Sequence, residues 1–294
     1  MTVSRNYYKN YVSRRRARLI ALTLVRLSAG VVLAALAFII IFAAWQGIGA
    51  ISWEFLTEFP RESMTAGGVF PAIFGTLALA VGALLIALPL GCGAAVFLAE
   101  YARPGPFLTA IRLGVGNLAG VPSVVFGLFG LALFVGYLGF GRSLLSGCLT
   151  LALLILPTVI AASEEALRQV PLTFREAALA LGAGKWQAIR QVILPAALPN
   201  MLTGAILALG RAAGETAPIM FTAAAAYTLA RPDSVFSEVM ALSTHIYNLA
   251  TSGTHIEATR PLQYGSVLVL LALTLGLSLS AVILRARLRK GRQW

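Results

Sequence analysis

The chain has 294 residues, 59% of them hydrophobic and only 12% charged, with a mean hydropathy of +0.84; a soluble domain carries about twice that charged fraction. The composition is that of a polytopic membrane protein and excludes a soluble enzyme or binding module. A net charge of +12 would suggest nucleic acid in a soluble chain, but in a membrane protein it marks basic loops held on the cytoplasmic side, so no nucleic-acid partner is expected.

The first stretch is basic, with Arg5, Lys9, Arg14, Arg15, Arg16 and Arg18 beside Tyr7, Tyr8 and Tyr11. Such a mixture suits a cytoplasmic tail lying at the lipid headgroups. The apolar run behind it, 19–44, exceeds the core of a signal peptide and is expected to stay as a first span. Residues 45–68 turn polar, with Glu54, Glu58 and Glu62 around Arg61. Further spans are predicted over 70–99, 111–139, 144–162, 200–226 and 265–284. In the third, Gly116 and Gly120 form a small-xxx-small pair suited to close helix packing, and Gly210 and Gly214 repeat the pattern in the fifth. Cys92 and Cys148 both fall in apolar segments and are expected as buried thiols, not as a disulfide or metal pair.

Between the fourth and fifth spans lies a polar, basic, helix-forming stretch, Glu176–Pro195, reading EAALALGAGKWQAIRQVILP. Val170-Pro171 marks the boundary before it, and Thr173 with Glu176 reads as a capping box. Gly182 can take the left-handed conformation that ends a helix, and Leu194-Pro195 reads as the stop of a second one. The expected product is a helical hairpin projecting from the membrane.

Residues 227–264 form an outer loop holding His245 and His255, both expected to be exposed. Phe236, Val239, Met240, Ile246 and Leu249 make part of it amphipathic, as in a helix resting on the membrane or in a docking surface. The end of the chain is basic again, from Arg285 to Arg292. With both termini inside, the inner segments carry 17 of the 23 basic residues, as the positive-inside rule requires. The predicted architecture is all-α, with six spans and the hairpin in the cytoplasm.

Phosphate-cradling and metal-binding motifs are missing. Gly184-Lys185 is followed by Trp186, not Ser or Thr, and lacks the earlier glycine of a P-loop, so ATP should be bound by a partner and no cofactor by this chain. Arg211 and Glu215 sit four residues apart in the fifth span, on one helical face. One reading is a self-neutralising pair that lets the helix cross lipid. The other is a polar face on a translocation route, because ionisable groups at membrane depth usually face a cavity. A guanidinium suits a tetrahedral oxyanion through its parallel N–H donors. Glu215 would then hold the arginine, or accept a hydrogen bond from a substrate that keeps a proton. Pro218 is expected to break the helix just beyond. Arg211 and Glu215 are too few groups for an embedded enzyme, which needs convergent acid, base or metal ligands.

The spacing of the hairpin, Glu176-Ala177-Ala178, then Gly182, then Leu194-Pro195, resembles the EAA loop of ABC-importer permeases, with Val192 where that pattern has isoleucine. Arg211-Ala-Ala-Gly-Glu-Thr-Ala-Pro218 and Ala119-Gly-Val-Pro-Ser-Val-Val-Phe-Gly127 resemble the A-type permease of phosphate-specific (Pst) importers. The resemblance implies a type I importer core over 70–285, with a coupling helix at 171–195, preceded by 1–69 (tail, first span, outer loop) and followed by a basic tail at 286–294. It also implies Arg211, Glu215 and Thr216 on the substrate pathway, and Arg175, Glu176, Ala177, Ala178, Gly182, Leu194 and Pro195 in coupling to the ATPase. The implied partners are a homologous C-type permease, two cytoplasmic ATPases holding ATP and magnesium, an extracytoplasmic phosphate-binding protein, and lipid. The implied location is the inner membrane. A permease of this architecture for molybdate or sulfate is the alternative.

Overall fold

The computed structural model describes residues 2–61, 66–225, 232–251 and 256–290, with side chains described over 18–61, 66–225, 232–251 and 259–287. Glu62, Arg231, His255 and Arg292, and the side chains of the basic tails up to residue 17 and from residue 288, lie outside these ranges.

Apolar runs with no water to satisfy their backbone must bond internally, and helix is the outcome. The helices are α1 (Thr2–Gly47), α2 (Trp53–Thr57), α3 (Phe70–Val96), α4 (Pro106–Ala119), α5 (Ser123–Gly130), α6 (Leu144–Arg168), α7 (Leu172–Ala180), α8 (Lys185–Ala188), α9 (Leu194–Gly214), α10 (Ala217–Thr222), α11 (Leu242–Thr251) and α12 (Ile256–Lys290). Three π turns extend or join them: Phe97–Tyr101 after α3, Leu131–Tyr137 after α5, and Ile189–Ile193 between α8 and α9. Antiparallel β1 (Pro60–Arg61) and β2 (Ala66–Gly67) close a small hairpin beside α2.

Among the described residues, five helical stretches are long and apolar enough to cross a membrane: Arg18–Ala50, Phe70–Tyr101, Leu144–Arg168, Lys185–Gly214 and Thr259–Arg287. The bent pair formed by α4 and by α5 with its π turn raises the number to six when it is counted as one broken span. The third predicted span, 111–139, is bent: Pro106–Ala119 and Ser123–Tyr137 meet at 98°. The break falls at Gly120-Val121-Pro122, where proline supplies no N–H and pushes the residue before it out of helical geometry.

The core forms where α3, α6 and α9 pack together. Leu79, Leu151, Leu154 and Ile155 interdigitate with Ala80, Ala83, Ala87, Ala208 and Ala212. These small residues let the backbones approach, and at the tightest crossing a Cβ on Gly204 would lie 2.3 Å from that of Ala162. The first span stands apart, with only 6% of its apolar window buried and Leu24, Phe38 and Ile39 more than half exposed. It touches α12 near its end, where Phe42 meets Tyr264 edge-on at 5.6 Å.

A second core, containing Ala95, Ala166, Leu167, Val170, Ile189, Ile193, Ala197 and Met201, fills the base of the hairpin. A third, with Phe55, Val69, Ala72, Met240, Leu242 and Val269, joins α2, α3, α11 and α12 at the opposite end of α3.

Candidate functional site

The Arg211–Glu215 face forms at a helix end. α9 stops at Gly214, Glu215 is extended (φ −72°, ψ 139°), and α10 starts after Thr216. The break precedes Pro218, which lies in the first turn of α10, where a missing N–H costs nothing. Arg211 Nε donates to Glu215 Oε1 at 3.3 Å, and the two side chains are 35% and 16% exposed. Among the described residues the terminal amino groups of Arg211 have no protein acceptor, so they remain available to an anion. Thr216 is half-buried, and its hydroxyl makes no capping bond.

Two polar residues that sequence reasoning missed hold this break. Ser243 Oγ donates to the Glu215 carbonyl at 2.8 Å, and Thr76 Oγ1 accepts from Leu242 N at 2.8 Å. Both contacts involve the start of α11, whose Leu242, Ser243, Thr244 and His245 are buried. The signal was the polar run Ser243-Thr244-His245 next to apolar Met240 and Leu242. His245 is thereby corrected from exposed to buried, at 3% exposure, and its Nδ1 has no hydrogen-bond partner among the described residues. Burial lowers its pKa from 6.5 to about 4. The two sequence motifs also meet: a Cβ on Gly127 would lie 2.9 Å from Pro218 Cα and from Phe221 Cδ2.

In the hairpin, Gly182 sits at φ +82° and closes a Schellman motif, with Gly182 N bonded to Leu179 O and Ala183 N to Ala178 O. Two expectations are corrected here. The capping box does not form, because Pro171 is the N-cap and α7 begins at Leu172, which moves Thr173 inside the first turn. Leu194-Pro195 is no stop, because the π turn Ile189–Ile193 widens the helix just before the proline ring and α8 runs on into α9. The Arg175 side chain is 18% exposed. It turns inward to Glu100, with Nη2 2.7 Å from Oε1.

Glu176 and Ala177 are exposed, and Ala178 is buried. Leu172, Leu179, Leu181 and Trp186, which the sequence reading passed over, are 69%, 53%, 89% and 58% exposed. They are apolar residues in a polar stretch, and that contrast was their signal.

Of the four expected packing glycines, Gly116 and Gly214 have nothing among the described residues within 4 Å of a Cβ, and Gly120 has only its own turn's Asn117 O. Gly210 faces Ser278 Oγ at an ordinary 3.5 Å. Cys92 and Cys148 are free thiols, with Cys148 buried and Cys92 half-buried. No cluster of His, Cys, Asp and Glu that could hold a metal occurs among the described residues.

A bundle of spans, one broken, with a helical hairpin standing at one end defines a multi-span membrane permease of the type I ABC importer fold. Solved structures with a similar fold include an inward-facing MetNI methionine ABC transporter (TM-score 0.61, 18% identity, covering 74% of this chain and 94% of that one) and a bacterial alginate ABC transporter (TM-score 0.61, 18% identity, 91% and 93%). Residues 87–293 match the model of the binding-protein-dependent transport system inner membrane component, and the chain belongs to that family. It is 32% identical over 257 residues to the probable ABC transporter permease protein YqgI of Bacillus subtilis (84% of this chain, 87% of that one). It is 39% identical over 221 residues to the phosphate transport system permease protein PstA of Mycobacterium leprae (75% and 71%). Membership makes it a transport component that works with a binding protein and an ATPase.

Proposed function

We propose that this chain is the permease subunit of an ATP-driven importer of inorganic phosphate, and that the Arg211–Glu215 pair at the helix break carries the selectivity. The observation behind this is that one N–H of the guanidinium is engaged by Glu215 and its terminal amino groups are not. Those groups can bind two oxygens of a tetrahedral anion. Glu215 accepts a hydrogen bond from the O–H that phosphate retains near neutral pH and repels a fully ionised sulfate. The similarity to phosphate permeases over three quarters of the chain supports the same substrate.

In this reading the partner permease is a homologous C-type subunit, and both termini and the hairpin face the cytoplasm, in line with the distribution of basic residues. Two ATPases bind ATP and magnesium beneath, an extracytoplasmic binding protein delivers phosphate above, and the chain itself catalyses nothing. Closure of the ATPase dimer moves the hairpin, and the spans continuous with it alternate access. The exposed Leu172, Leu179, Leu181 and Trp186 offer an apolar surface to the ATPase.

The test is Arg211→Ala in the complete transporter. Losing one pair of charge-assisted hydrogen bonds should cut uptake by about 10- to 100-fold, with insertion and co-purification of the ATPases unchanged. Near-normal uptake by the assembled variant would remove Arg211 from the route.

A further inference from the structure

The hairpin is continuous in sequence with α6 and α9, but the structure fastens it to a third helix as well. The π turn Phe97–Tyr101 ends α3, and three cations from other elements converge on it. Arg175, from α7, places Nε and Nη2 on Glu100 Oε1 at 3.1 and 2.7 Å. The same guanidinium donates to Val170 O and Leu167 O, both at 2.8 Å, and so caps the end of α6. Lys185, which opens α8, holds its Nζ 4.7 Å from the centroid of the Tyr101 ring. Arg112, from α4, donates Nη2 to Leu98 O at 3.2 Å and is itself paired with Glu164 of α6.

The Arg175–Glu100 pair is enclosed, with side chains 18% and 9% exposed, so solvent screens it far less than a surface pair. An inward-facing Arg175 that makes four hydrogen bonds within the permease is badly placed to touch an ATPase. Its geometry suits a rivet within the permease. The Phe97–Tyr101 turn is itself unusual: Ala102 N bonds to Phe97 O five residues back, an arrangement that concentrates at functional sites in helices. The second π turn of this region, Ile189–Ile193, packs in the same core as Ala95 and Leu167.

We infer that Glu100 and Tyr101 receive the hairpin's stroke, so that displacement of the hairpin reaches α3 through Arg175–Glu100 and Lys185–Tyr101 as well as α6 and α9 through the chain. Arg112, bound to Leu98, draws the inner arm of the broken span along. Arg175 and Glu100 are positioning residues. This rests on the proposed role of the hairpin as the ATPase-driven element, but not on the identity of the substrate.

The test uses the complete transporter with its partner permease, ATPases and binding protein, in a background with Cys92 and Cys148 replaced by alanine. Spin labels go at Gln187, exposed on α8 of the hairpin, and at Leu85, exposed on α3. On addition of a non-hydrolysable ATP analogue, the Gln187–Leu85 distance should stay constant without Glu100→Gln, because hairpin and α3 move as one body. With Glu100→Gln it should change, as the hairpin moves without α3. Phosphate transported per ATP hydrolysed should fall at least about fivefold with Glu100→Gln, while the ATPases still co-purify, and Glu100→Asp should restore most of it. An unchanged distance and ratio with Glu100→Gln would overturn the inference, as would loss of the ATPases, which would make Glu100 and Arg175 part of the docking surface. The distance measurement needs no substrate. A transporter that passes it but carries no phosphate therefore refutes the substrate assignment alone.

Discussion

Two arginines of this chain show how surroundings decide a role. Arg175 spends its donors on Glu100 and on the end of α6, whereas Arg211 engages Glu215 by Nε and keeps its terminal groups for something else. The first is a fastening, the second a site. His245 is a third kind, a titratable group buried in α11 outside the spans and held neutral. Its folded pKa of about 4 lies below the ordinary 6.5, so the unfolded chain takes up the proton first as pH falls. The stabilisation is complete above pH 6.5 and drains away as pH drops toward 4. The thermal midpoint of the purified complex should therefore fall more steeply over that window than it does for His245→Leu; parallel curves would show that His245 is not buried neutral. From sequence His245 read as exposed, because a histidine in an outer loop gives no sign of the carbonyl and hydroxyl anchors that bury its helix. The Arg211–Glu215 pairing was legible, since i,i+4 spacing on a helix leaves such side chains adjacent.

At the scale of elements, the legible features were those that follow from local chemistry. Hydropathy marked the spans, and Gly182 marked the turn. The illegible ones depend on what a neighbouring helix supplies. Leu194-Pro195 ends a helix in isolation, but a π turn before it lets the chain run on. The bend in the third span did leave a trace, Val121-Pro122, which the continuous hydropathy around it concealed. Arg175 pairs across 75 residues with Glu100, a distance no local pattern reports.

Gly182 offers a clean test of the hairpin, because nothing lies within 4 Å of its Cβ position and only the backbone is at issue. The left-handed conformation costs an L-residue about 1–2 kcal/mol, less for asparagine and most for a β-branched side chain. ATPase retention and uptake should therefore decline in the order Gly182→Asn, Gly182→Ala, Gly182→Val. Equal behaviour of the valine and asparagine variants would mean that the turn does not set the hairpin's geometry.

For the whole molecule, the arrangement is a core of α3, α6 and α9 with a polar break at one level and a fastened hairpin at another. The third core joins α11, which braces the break, to the far end of α3. Thus α3 carries the hairpin's attachment at Glu100 and the break's support at Thr76, and a movement of α3 reaches both. The first span contributes little to this core and leaves its apolar side chains exposed. The most direct measurement of the central claim is uptake of labelled phosphate at low concentration, in cells lacking their own high-affinity system and supplied with this chain and its partners. Sulfate, molybdate and arsenate serve as competitors. The account predicts uptake that arsenate, which keeps a proton as phosphate does, competes away and sulfate and molybdate do not. Uptake blocked by sulfate or molybdate would leave the permease fold standing and contradict phosphate as its substrate.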